Sequence, residues 1–234
     1  MAQPNLRLLG RGLYSPTEAS RLTRVPIRRI NRWTRGYWFV HRGKRQWSDP
    51  IVGLGREALG DAPILEFADL LEVRCLSAFR DQRIGWPAIR LAFMRAKEVL
   101  KTSHPFSSNR FKVSGRAIFA EITDESGDRH LLDLVRDQWV FERLVSDTLR
   151  KGLHYGGEDS PQWWNPLGEE RKVMVHPARA FGAPIVFPGS IRTQVLYGSF
   201  QAEQSAEAVA EWYSVTADAV RDAVEFEESI RRAA

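Results

Sequence analysis

Cysteine is almost absent: Cys75 stands alone among 234 residues, so neither an intrachain disulfide nor a cluster of thiolate ligands can form within the chain. No apolar run approaches the roughly 20 residues that a membrane-crossing helix needs, and the opening stretch Met1–Gly10 is too short and too polar for a secretory core. A cytoplasmic protein with no membrane association is expected. Acidic residues are missing from the first part of the chain. Between Met1 and Ser48 eleven arginines and lysines face one acid, Glu18, leaving +10, whereas from Ser199 onward eight acids face three arginines, leaving −5. Charge gathered at one end in this way points to a polyanionic partner for that end and not for the other.

The motifs of catalysis are lacking as well. His41, His104, His130, His154 and His176 are scattered with no metal-ligand spacing, and there is no nucleophile elbow, P-loop or G-x-G-x-x-G. Gly53-Leu54-Gly55 lacks both a third glycine and a preceding strand. Cys75, beside Leu76 in a helical pattern, reads as a small buried apolar group. Asp124 and Asp128 flank a turn and read as turn chemistry. No enzyme, cofactor or metal is expected.

What is present begins at Tyr14. In YSPTEASRLTRVPIRRINRW, Ser15 is an N-cap candidate, Pro16 suits the first helical position, and Glu18 complements the helix dipole. Ala19 and Leu22 share one face. After a break at Thr23-Arg24-Val25, Pro26 opens a second helix with Ile30 and Trp33 turned inward and Arg28, Arg29 and Arg32 off the apolar stripe. Two short helices joined by a tight break match the helix-turn-helix plan, whose second helix enters the major groove of DNA. There arginine pairs with phosphates or with a guanine edge, while Ser15 and Thr17 position the first helix. Tyr37–Trp47 follows as a β-hairpin tipped by Arg42, Gly43, Lys44 and Arg45, a wing whose cations would grip phosphates. Trp33, Trp38 and Trp47 are spaced as core residues, which argues against a single-strand RNA binder that displays aromatics.

On Tyr14, Ala19, Leu22, Val25, Arg28, Ile30 and Trp33 this segment resembles the DNA-binding domain of the MerR family. A second helix pair, Phe67–Gln82 and Pro87–Leu100, falls where that family has one. His104-Pro105 then stops the chain where the family continues into a long dimerisation helix. The resemblance implies a homodimer on double-stranded operator DNA.

Farther on, 116–123 and 129–135 are expected to be strands of a hairpin around Asp124–Gly127, with a helix over 138–149. Tyr155–Glu170, with Trp163 and Trp164 packed locally, reads as a connector. Beyond it, short extended pieces at 173–175 and 184–186 lead into three helices, 191–201, 206–213 and 216 to about 232. Val209, Trp212 or Tyr213, Val220, Val224 and Phe226 or Ile230 are the expected core. The acidity of these helices favours protein contacts over DNA.

On Pro177, Phe181, Gly182, Pro184, Gly189, Ser190, Ile191, Ser205, Glu207, Val209, Ala210, Glu211, Tyr213, Val220, Ala223 and Val224 this end is similar to a small antitoxin-associated domain of type II toxin–antitoxin operons. A MerR-like start with this end resembles the VapB-type antitoxins, particularly the longer mycobacterial kind. That implies operator binding and neutralisation of a PIN-like ribonuclease toxin. The expected fold is mainly α with small β-hairpins: a winged helix-turn-helix domain over 1–102, a hairpin and helix connector over 103–172, and a three-helix domain over 173–234. A stand-alone MerR-like regulator and an RNA-binding adaptor are the competing readings.

Overall fold

A computed structural model describes residues 10–41, 43–53, 63–147, 151–157 and 159–231. Helix α1 (Pro16–Thr23) starts at Ser15, which together with Glu18 forms a capping box: the Glu18 amide donates to Ser15 Oγ at 3.2 Å and the Ser15 amide to Glu18 Oε2 at 2.8 Å. Arg24, in the left-handed region, ends it, and α2 (Ile27–Arg35) follows from Pro26. Gly36 (φ +73°) turns the chain into β2 (Tyr37–His41). A Cβ there would lie 2.6 Å from the Ser48 carbonyl, so only glycine fits. Strand β2 pairs antiparallel with β3 (Lys44–Ser48), Trp38 facing Trp47. Both tryptophans are exposed, which corrects their expected place in the core. Alternation predicts a buried face only where a further layer covers the hairpin, and none of the described elements buries this one. Trp33 is buried as expected, stacked on Trp86 at 5.7 Å.

β1 (Leu13–Tyr14) pairs with β4 (Leu65–Glu66), which leads into α3 (Phe67–Asp81) and α4 (Trp86–Leu100). Then comes the second correction. Residues 116–135 are not a hairpin but helices α5 (Phe111–Glu121), α6 (Thr123–Ser126) and α7 (Arg129–Arg136), followed by α8 (Gln138–Val145). Gly127 (φ +61°) ends α6, and Asp128 caps α7 by accepting from the Leu131 amide at 3.0 Å. The composition that reads as a hairpin turn is therefore a helix stop followed by a helix start. The helices are drawn in by aromatic rings: Phe106, Phe111 and Phe119 pack edge-to-face or tilted on Phe79, with centroids 4.8–6.2 Å apart.

A five-stranded antiparallel sheet runs in sequence order, β5 (Leu153–Tyr155), β6 (Pro161–Trp164), β7 (Val173–Val175), β8 (Pro184–Val186) and β9 (Ile191–Arg192). Two of its strands precede residue 173 and three follow it. Trp164 is buried under the Arg74 guanidinium, 4.1 Å from the ring, and Trp163 stacks on His154 at 4.5 Å, which is the local packing expected. Helices α9 (Thr193–Glu203), α10 (Ala206–Tyr213) and α11 (Ala217–Arg231) complete the fold. The expected helix over 191–201 thus begins two residues later, its first residues being strand β9. Val209, Val220, Phe226 and Ile230 are buried, while Tyr213 and Val224 are partly buried; Trp212 stands exposed and leaves the expected core.

Candidate nucleic-acid interface

The two-helix unit closes on Ala19, Leu22, Val25, Ile30 and Trp33, all buried. Side chains hold the break between its helices. Ser20 Oγ donates to the Val25 carbonyl at 2.7 Å, and Thr23 Oγ1 to the Ala19 carbonyl at 2.6 Å. With Ile30 and Trp33 inward, α2 must present its arginines outward. Arg28, Arg29, Arg32 and Arg35 are all exposed, and no acid lies between Ala19 and Ser48.

The candidate residues differ in their surroundings. Arg28 projects from the first turn of α2. Arg29 leans on the end of α3, with Nη1 3.4 Å from Asp81 Oδ1 and 3.5 Å from Ser77 Oγ. Arg32 lies 5.0 Å from the Tyr37 ring, and Arg45 lies 4.6 Å from the Trp38 ring. Cation–π contacts of this kind hold the guanidinium planes in place without neutralising them. Lys44 is exposed at the wing tip, whereas Arg42 lies outside the described residues. Ser15 and Thr17 are exposed at the start of α1, the Ser15 hydroxyl engaged by Glu18. Arg28 and Arg32 are thus exposed cations of α2, and Lys44 and Arg45 of the wing that follows it in the chain. Arg35, which nothing in the sequence but its charge singles out, joins them on the last turn of α2.

Other arginines of the basic segment turn away from this surface. Arg21 pairs with the buried Glu227 of α11, Arg24 donates to Ser229 Oγ at 2.7 Å, and Arg11 meets Glu66 at 3.1 Å. The Tyr14 hydroxyl, whose pKa is raised by burial and by nearby Glu18, donates to the Gly182 carbonyl at 2.9 Å. Among the described cations of the basic segment, those on α2 and the wing are thus exposed, Arg21 and Arg24 line a seam against α11, and Arg11 pairs beside β4. Among the described residues no group of three or more His, Cys, Asp or Glu is placed to hold a metal ion, and no helix is long and apolar enough to cross a membrane.

Residues 12–93 match a family model described as "Putative DNA-binding HTH domain". That span takes in α1, α2, the wing, α3 and the first half of α4. The chain is 26% identical over 223 residues to "Putative antitoxin VapB45" of Mycobacterium tuberculosis, covering 91% of this chain and 92% of that protein. Its fold is that of the crystal structure of Rv2018 from the same organism, with a TM-score of 0.72 at 24% identity over 92% of this chain and 98% of the other. From end to end, the chain is similar to a VapB-type antitoxin and carries a helix-turn-helix domain at its amino-terminal end.

Proposed function

We propose that this chain is the antitoxin of a type II toxin–antitoxin system. As a cytoplasmic homodimer it binds double-stranded operator DNA to regulate its own transcription, and it neutralises a PIN-like ribonuclease toxin by binding it. The observation that carries the reading is the row of exposed guanidinium groups on α2, inside a chain that is similar to an antitoxin over nine-tenths of its length. Arg28 and Arg32 face the major groove. Arg29 joins them by leaving Asp81, since an ion pair this exposed is worth little, about 0–1 kcal/mol. Ser15 and Thr17 set the position of α1, and Arg42, Lys44 and Arg45 meet phosphates. The acidic carboxyl-terminal helices, with Glu211 and Trp212 exposed on α10, are assigned to the toxin. The chain acts as a binding regulator and not as an enzyme.

A titration of the promoter duplex tests this directly. Arg28→Ala and Arg32→Ala should each weaken binding by about 1–3 kcal/mol if the side chain reads a base. Wild-type affinity measured by anisotropy for both variants would remove α2 from the interface. Replacing Arg42, Lys44 and Arg45 by alanine should weaken all duplexes alike, and should flatten the dependence of log K on log salt by about 0.9 for each phosphate no longer neutralised. A loss confined to one sequence would mean that the wing reads bases. A stand-alone regulator remains the second reading, and an adjacent toxin gene separates the two.

A further inference from the structure

The wing carries more apolar surface than a phosphate grip requires. Trp38 is 55% exposed, Trp47 44% and Val40 73%. Strand alternation puts all three on one face with Arg45, because Trp38 opposes Trp47 and Val40 opposes Arg45. The indole rings meet edge-on, with centroids 5.4 Å apart at 60°, and the Arg45 guanidinium lies over Trp38. The result is a narrow aromatic ridge with a cation on its flank. A contiguous apolar face left in solvent marks a contact surface.

Charge decides what covers the ridge. Arg45 flanks it, Lys44 sits on the other face of the same ribbon, and the first acid after Glu18 is Asp49, which is engaged by Arg90 with Nη2 3.6 Å from Oδ2. A second copy of the same face would bring cation against cation, whereas a polyanion satisfies both the cations and the rings. Gly36 alone separates α2 from β2, so with α2 along a major groove the ribbon reaches the flanking minor groove.

We infer that Trp38 and Trp47 form an aromatic wedge that enters the minor groove beside α2, partly unstacks one base step and bends the duplex. Pyrimidine–purine steps unstack most easily, so the wedge adds sequence preference at a step that no hydrogen bond reads. Arg45 follows the wedge into the groove. This rests on the proposal that α2 docks on DNA.

The test uses the full chain and its own promoter duplex, with a fluorescent donor and acceptor on the two ends. Wild type is expected to bring the ends together. Trp38→Ala with Trp47→Ala should bind about tenfold more weakly, the scale of one base–aromatic stack, with an unchanged salt slope and an unbent duplex. Trp38→Phe with Trp47→Phe should restore most of the bend. Arg28→Ala should lower affinity yet leave the remaining complex bent, which separates the wedge from the helix. A double alanine variant that binds and bends like wild type overturns the wedge while leaving the α2 reading intact. A variant that loses self-association in the ultracentrifuge before it loses DNA would reassign the ridge to a second copy. Failure of wild type to bind the duplex overturns both readings.

Discussion

Arg21→Ala is expected to lower the unfolding temperature by several degrees or more, although Arg21 belongs to the most basic part of a DNA-binding domain. Its partner Glu227 is 2% exposed and accepts from only one other side chain among the described residues, Thr193 Oγ1 at 2.6 Å. Removing one member of a buried pair leaves the other charge uncompensated, at a cost of about 3–5 kcal/mol. A cleft of about 250 Å³, lined by Tyr14, Arg21, Phe181, Arg192 and Glu227, opens beside the pair, so cutting back Arg21 opens a path for water to the carboxylate. The lower end of that range, about 3 kcal/mol, is therefore expected, or roughly 6–12 °C for a chain of this size. Arg21→Met with Glu227→Met should recover much of the loss, because no lone charge is left and Thr193 still has the Pro184 carbonyl at 3.5 Å. Equal melting temperatures for Arg21→Ala and wild type would show that the pair contributes nothing to folding.

Glu72→Gln should stabilise the protein increasingly as the pH rises above about 4.5, with the full effect above about 7. Glu72 lies in the middle of α3 and is 1% exposed; Oε1 accepts from the Ser107 amide at 2.9 Å, and Oε2 has no hydrogen-bond partner among the described residues. Burial raises its pKa from the ordinary 4.5 to about 7, against the pull of His104 and the Ser107 bond, with Asp69 pushing the same way as burial. The folded chain therefore holds a proton that the unfolded chain has already released between these two values. Stability from this group is fully present below about 4.5 and declines as pH rises towards about 7. Glutamine keeps the Ser107 bond and never ionises. The variant should match wild type below pH 4.5 and exceed it above pH 7 by on the order of 3 kcal/mol, because each tenfold change in proton affinity is worth about 1.36 kcal/mol. A stability difference that stays constant across the two pH ranges would sink this account, since it would owe nothing to ionisation.

Local signals carry the amino-terminal unit. Ser15 with Glu18, the prolines at 16 and 26, and the Gly43 hairpin each act within a few residues, so the helix pair and the wing are legible in full. The helices over 111–136 are not. In the run Ala117–Thr123, aromatic and β-branched residues fit a strand as well as a helix, and the decision is made by Phe79 and Phe106, supplied by other segments. Distance hides part of the site for the same reason. Arg21 and Arg24 count in the sequence only toward the basic charge of this end, because their partners Glu227 and Ser229 lie 206 and 205 residues away. The tryptophans of the wing show the reverse case: their alternation is plain in the sequence, but among the described residues no distant element arrives to cover them.

The seam between α1 and α11 also sets a timetable for the protein's birth. Arg21 leaves the ribosome 206 residues before Glu227, and at about 5–20 residues per second that interval lasts roughly 10–40 s. Throughout it the capping box, the helix break and the wing can form, since their partners are near neighbours in the chain. The back of α1 stays wet until α11 is translated. The end that carries the arginine row is thus among the first parts made, yet its contact with α11 is among the last to form, and a message broken before α11 yields that end without this seam.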